Sequence, residues 1–138
     1  MALRRRVNKD VAERYAADER LAGTYRDRLA AAAEAERALR AAEAETRPAD
    51  ELRALSVAFD KALTEVLLAA EAAERVAMGP RVYVSDGASA ALRRAAEFAR
   101  REAKAKPAVR PWTEEVDRLR TAREAHRLGF RTRPGVAA

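Results

Sequence analysis

The sequence predicts an all-α protein, built as a long antiparallel helical hairpin followed by a short extended connector and two shorter helices, and self-associating into an oligomer. Three observations predict it. Alanine, the best helix former, supplies 36 of the 138 residues. Apolar side chains recur at alternating spacings of three and four over long stretches. The five prolines and most of the glycines fall at the ends of those stretches. Against them stands a poor inventory of large apolar residues: 12 Leu, 10 Val, 3 Phe and no Ile make about 18% of the chain, a level usually met in disordered proteins. Long alanine-rich helices with thin seams bury little area each, at roughly 25 cal/mol per Å², and draw most of their stability from a neighbour. Self-association is the expected remedy.

The first helix is predicted over Val7 to Glu45, with a seam of Val11, Tyr15, Ala22, Tyr25, Leu29, Ala32 and Leu39 interrupted at Asp18. A mid-helix Gly costs about 1 kcal/mol relative to Ala, so Gly23-Thr24 is the expected kink or break. The second helix begins at Pro48, a favoured first-turn residue, with Asp50 and Glu51 suited to the helix dipole, and ends at Met78-Gly79-Pro80. Within it Leu52, Leu55, Phe59, Ala62, Val66, Ala69, Ala73 and Val76 hold the three-four spacing, widened by Leu63, Leu67 and Ala70. The short turn at Thr46-Arg47-Pro48 folds the two helices into the hairpin. Leu52, Leu55, Phe59, Val66, Ala73 and Val76, with Tyr15, Tyr25 and Leu29, form the predicted self-association seam.

After the hairpin, Arg81-Val82-Tyr83-Val84 is the one stretch with strand character. It reads as an extended connector resting Val82 and Val84 on the hairpin, in preference to an edge strand for a second chain. A third helix is expected from the Asp86–Ser89 region to Lys106, capped by Ser85 or Asp86, with Ala88, Ala91, Leu92, Ala95, Phe98 and Ala99 on its apolar face. Pro107 to Pro111 should be extended. A fourth helix, capped by Thr113, ends at Leu128 with Gly129 as its terminator. From Arg131 onward the chain reads as a frayed tail. Two regions result: residues 1–79, a helical hairpin for oligomerisation, and residues 80–138, a basic helical part.

Charge supports that division. Residues 1–50 carry 11 basic and 10 acidic side chains, residues 51–80 carry 3 and 5, and residues 81–138 carry 14 and 7, so the net charge of +6 sits in the C-terminal part. Such asymmetry suggests an anionic partner. The candidate contacts are Arg93, Arg94, Arg100, Arg101, Lys104, Arg118, Arg120, Arg123 and Arg127, with Arg4, Arg5 and Arg6 as an arm. Arginine outnumbers lysine 24 to 4, a bias that GC-rich coding also produces. Six pairs with Glu four residues before a base, including Glu71–Arg75, Glu97–Arg101, Glu102–Lys106 and Glu114–Arg118, offer a local use for many of these charges.

Catalytic chemistry finds little to work with. One His and no Cys leave no transition-metal ligand set and no disulfide framework. His126 has no nucleophile motif around it and suits the end of a helix, where its cationic form complements the dipole. Ser85-Asp86-Gly87-Ala88-Ser89 reads as a turn and cap, since Asp86 opposes an anion there. Trp112 is expected to pack as a staple on Val116 or on a neighbouring helix layer, with a partner anchor as the other reading. No catalytic residue, metal, cofactor or small-molecule substrate is expected. No apolar run approaches the ~20 residues of a membrane span, and the start of the chain lacks the apolar stretch of a signal peptide. The expected location is the cytoplasm, or a particle assembled there.

These observations favour a non-enzymatic structural or assembly protein that holds a larger complex through helix contacts, a profile that a phage or other particle component would fit. The alternative is a basic, mostly nonspecific nucleic-acid-binding protein.

Overall fold

The computed structural model describes residues 2–132 and the side-chain surroundings of residues 9–129. The side chains of the Arg4, Arg5 and Arg6 arm, and the tail from Arg133, lie outside those described. Among the described residues the fold is all-helical: α1 (Ala2–Ala22), α2 (Tyr25–Ala44), α3 (Ala49–Met78), a 3-10 turn (Pro80–Val82), α4 (Ala90–Ala103) and α5 (Arg110–Thr132). No helix among these residues is long and apolar enough to cross a membrane.

The predicted first helix is divided at Gly23-Thr24. The Gly23 N–H donates to the Glu19 carbonyl and the Thr24 N–H to that of Leu21, closing α1 before α2 begins. Helix α2 ends in a Schellman arrangement: the Thr46 N–H donates to the Glu43 carbonyl and the Arg47 N–H to that of Ala42. Thr46 adopts φ 54° there, a left-handed position where a β-branched residue is strained. The chain then reverses through Pro48 into α3, whose observed bounds match the predicted second helix to within a residue. At the far end of α3, Gly79 takes φ 97°, open to Gly at little cost.

Helix α3 is the axis of the molecule. Its Arg75 meets Asp18 of α1 and its Glu65 carbonyl meets Arg28 of α2, so rising numbers on α3 pair with falling numbers on α1 and α2. Helix α5 does the same on another side, pairing Arg127 with Asp60, Arg123 with Thr64 and Arg120 with Glu71. Between them lies a core of Ala32, Leu39, Phe59, Leu63, Val66, Leu67, Ala70, Val116 and Leu119. Fully burying one of its Leu or Val side chains contributes roughly 1.5–3 kcal/mol. Helix α5 thus supplies apolar surface that the sequence reading assigned to a second chain. A smaller cluster joins Met78, Val82, Ala99, Ala103 and Val109 beneath α4.

Several local expectations are corrected. The connector opens with the 3-10 turn and becomes extended only at Tyr83, burying Val82 while Val84 stays half-buried. Helix α4 is capped by Ser89, whose hydroxyl accepts from the Leu92 N–H, because the Ser85-Asp86-Gly87 turn directs the chain away before a helix can start. It ends at Ala103 instead of Lys106. The Pro107–Pro111 segment is a compact turn in which the Val109 and Arg110 N–H groups both donate to the Lys106 carbonyl. Pro111 falls within the first turn of α5, where its missing N–H costs nothing, so α5 starts three residues before Thr113. At its other end α5 continues through Gly129 to Thr132.

Candidate anionic-partner surface

Helix α4 is held by alanines. Ala96, Ala99 and Ala103 recur at spacings of three and four and are buried, and Ala99 and Ala103 pack with Met78, Val82 and Val109. Small side chains let α4 lie close to the rest of the fold, and its long side chains consequently project outward. Arg93, Arg94, Arg100, Arg101 and Lys104 are all exposed, and none forms a side-chain hydrogen bond or ion pair among the described residues. The expected Glu97–Arg101 and Glu102–Lys106 pairs are absent. At 1.5 Å per residue, the basic side chains from Arg93 to Lys104 cover about 16 Å of helix. Beside Arg94 and Arg101, Phe98, expected in the apolar face, is 61% exposed, and Leu92, in the first turn, is 51% exposed.

The basic residues of α5 are placed differently. Arg118 donates two hydrogen bonds to Glu115, 2.5 and 2.9 Å long. Arg120 lies 3.8 Å from Glu71, Arg123 reaches the Thr64 hydroxyl at 3.5 Å, and Arg127 grips Asp60 at 2.7 and 3.3 Å. The hydrogen bond from Arg127 holds the Asp60 carboxyl below its ordinary pKa, against the opposing pull of burial. Arg118 does the same for Glu115. Of the nine predicted contacts, four on α4 and Lys104 at its C-cap face solvent unengaged, while Arg120, Arg123 and Arg127 of α5 reach α3 and Arg118 pairs within its own helix.

The predicted seam residues are mostly turned inward. Phe59, Val66 and Ala73 are buried, and Leu52, Leu55, Val76, Tyr15, Tyr25 and Leu29 are half-buried. Tyr25, Leu29 and Leu55 pack on the same core as Phe59 and Val66. Trp112 packs edge-on against Tyr25 of α2, with ring centroids 5.0 Å apart, and against the core that holds Val116, so it pins α5 to α2 by the inter-helix packing expected of it. The Tyr25 hydroxyl donates to Glu115. Burial, followed by that carboxylate, pushes the Tyr25 pKa up to about 12.

A polar cluster missed by the seam reading joins α1, α3 and the connector. Asp18 accepts two hydrogen bonds from Arg75, at 2.7 and 3.1 Å, and one from the Tyr83 hydroxyl at 2.5 Å. Burial pushes the Asp18 carboxyl up, but the Arg75 and Tyr83 hydrogen bonds and the Arg75 charge outweigh it and hold the pKa below the ordinary value. Burial and Asp18 both raise the pKa of Tyr83, whose ring meets Tyr15 edge-on at 5.7 Å. Asp18 registered in the sequence only as a gap in the apolar pattern. Its placement four residues after Arg14, which bonds the Val84 carbonyl and Asp86, was the available signal that one polar face of α1 docks on the connector.

His126 sits with Nε2 2.8 Å from the Ser56 carbonyl and its ring 4.7 Å from that of Phe59. Since a carbonyl only accepts, Nε2 carries the proton, and the ring locks α5 to α3. It helps line a cleft of about 380 Å³ with Leu39, Phe59, Ala122 and Ala125, flanked by Glu36 and Glu43. Among the described residues no three His, Asp or Glu side chains converge as a metal site would require. Comparison with protein-family models, curated proteins and solved structures finds no match to this chain.

Proposed function

We propose that this chain is a non-enzymatic helical assembly protein, which self-associates and holds a larger complex, with α4 as the face that meets an anionic partner. The observation that carries the reading is the contrast between α4 and α5. Arginines that stabilise a fold find carboxylates, carbonyls or hydroxyls within the chain, as those of α5 do. The α4 set finds none, although Glu97 and Glu102 stand on the same helix. Phe98 adds an exposed aromatic beside the charges, a residue type favoured at binding hot spots. The inward-facing seam of α3 removes one route to self-association and leaves the outer surface of the bundle to provide it.

The same basic ridge favours a second reading, nonspecific contact with nucleic-acid phosphates. Light scattering after size-exclusion chromatography, at low and high salt and with absorbance at two wavelengths, separates the two. The assembly reading expects a discrete oligomer that survives high salt and carries no nucleic acid. A monomer that copurifies with nucleic acid at low salt and releases it at high salt transfers the function to the second reading. In either case, changing Arg93, Arg94, Arg100 and Arg101 to Glu should abolish binding of the anionic partner.

A further inference from the structure

The outer face of α3 carries a second stripe that the core does not use. Val57 is 60% exposed and Leu68 is 47% exposed, two of the few large apolar side chains the fold leaves in water. They stand 11 residues apart, three helical turns at 3.6 residues per turn, so they share one azimuth. Ala54, Ala58 and Lys61 are exposed on the same side, and Glu65 is half-buried there. The Arg28 guanidinium touches the backbone carbonyl of Glu65, but no described residue pairs with the Glu65 carboxylate or the Lys61 ammonium. The order along the helix is therefore apolar, basic, acidic, apolar, with the two charges at the centre. That order is its own complement when reversed.

We infer that a second copy of this chain docks on the stripe, its α3 antiparallel to the first, in a two-fold symmetric dimer. The inference rests on the self-association proposed above and names the surface that performs it. With the symmetry axis crossing α3 midway between Lys61 and Glu65, Lys61 lies against Glu65 of the second copy, and Glu65 against its Lys61. Val57 and Ala58 then cover Leu68 of the second copy, and the reciprocal contact closes the other end. Residue i meeting j while j meets i is the defining property of an isologous interface, the commonest symmetry of soluble oligomers. A parallel pairing would set Lys61 against Lys61 and Glu65 against Glu65, which the charges oppose. Small Ala54 and Ala58 allow close helix approach. The stripe from Ala54 to Leu68 is about 21 Å long, which places the contact at the lower end of interface sizes and makes the dimer dissociate on dilution.

Sedimentation velocity of the full chain over a range of concentrations tests this. The expected wild-type result is a reversible rise from one chain to two. Lys61→Glu and Glu65→Lys each create two like-charge contacts and should weaken the dimer about tenfold. Combining them swaps the pair and should restore wild-type affinity, which also shows that the single variants had not simply misfolded. Replacing Val57 and Leu68 together by Ser should yield a monomer. A wild-type protein that stays a single chain at every concentration overturns both this inference and the self-association reading. A wild-type dimer that ignores all four variants, or that the charge swap fails to rescue, overturns the α3 interface while self-association stands.

Discussion

Asp18 shows how a single side chain can join three parts of this fold. It lies on α1, its guanidinium partner Arg75 on α3 and its phenol partner Tyr83 on the connector. Replacing it with Asn keeps the shape but removes the charge that Arg75 faces. Because this side chain is largely buried and Arg75 is partly exposed, Asp18→Asn should cost about 1–2 kcal/mol, read from the urea midpoint. The same residue contributes to pH dependence. Asp18, Asp60 and Glu115 all have pKa values lowered by folding, so in acid the unfolded chain takes up protons first. Their stabilisation is complete above the ordinary values of 3.8 and 4.5 and is lost as pH falls through the lower folded values. Tyr25 works in the opposite direction. Its stabilisation is complete below 10 and declines as pH rises toward about 12. Thermal melts across pH should therefore show losses at both extremes, and Tyr25→Phe should remove part of the alkaline loss.

Among the elements, the α2–α3 turn offers the clearest local test. Thr46 holds the left-handed terminating position of α2, which Gly occupies without steric cost. Thr46→Gly should stabilise the protein by about 1 kcal/mol, measured by chemical denaturation. Helix boundaries in the sequence were legible where periodicity met a strong terminator, as at Met78-Gly79-Pro80. They were misread where proline was taken only as a breaker. Pro111 lies inside the first turn of α5, and the Pro107 segment curls instead of extending. The apolar face expected of α4 was right at Ala88 and Ala99, which are buried, and wrong at Phe98 and Leu92, which are exposed. The packing uses Ala96, Ala99 and Ala103, and alanine carries almost no signal of facing inward in a chain so rich in it.

At the scale of the whole molecule, the all-helical class and the extent of α3 followed from composition and the seam through Phe59, Val66 and Ala73, whereas the packing of α5 on that seam did not. What composition could not reveal was which charges the fold would consume. Of the six local pairs expected from spacing, Glu71–Arg75 gives way to a tertiary partner, Arg75 going to Asp18, and Arg118 goes to Glu115 on its own helix instead of Glu114, while Arg120, Arg123 and Arg127 reach α3. The distinction between α4 and α5 is therefore a product of tertiary structure. It predicts unequal responses to truncation: changing Arg93, Arg94, Arg100 and Arg101 together to Ala should leave stability within about 0.5 kcal/mol of wild type. Arg127→Ala, by contrast, strands Asp60 and should lower the denaturation midpoint.

The alanine foot of α4 has a dynamic consequence. A methyl group buries far less surface than a Leu or Phe side chain, so the free energy that keeps this helix seated is small beside that holding α3 between α2 and α5. Amide protons of α4 should consequently exchange with solvent through a local opening that leaves those of α3 protected. The helix that displays the unpaired arginines is then the one most readily lifted from the body, and a bound partner would register as slowed amide exchange confined to residues 90–103.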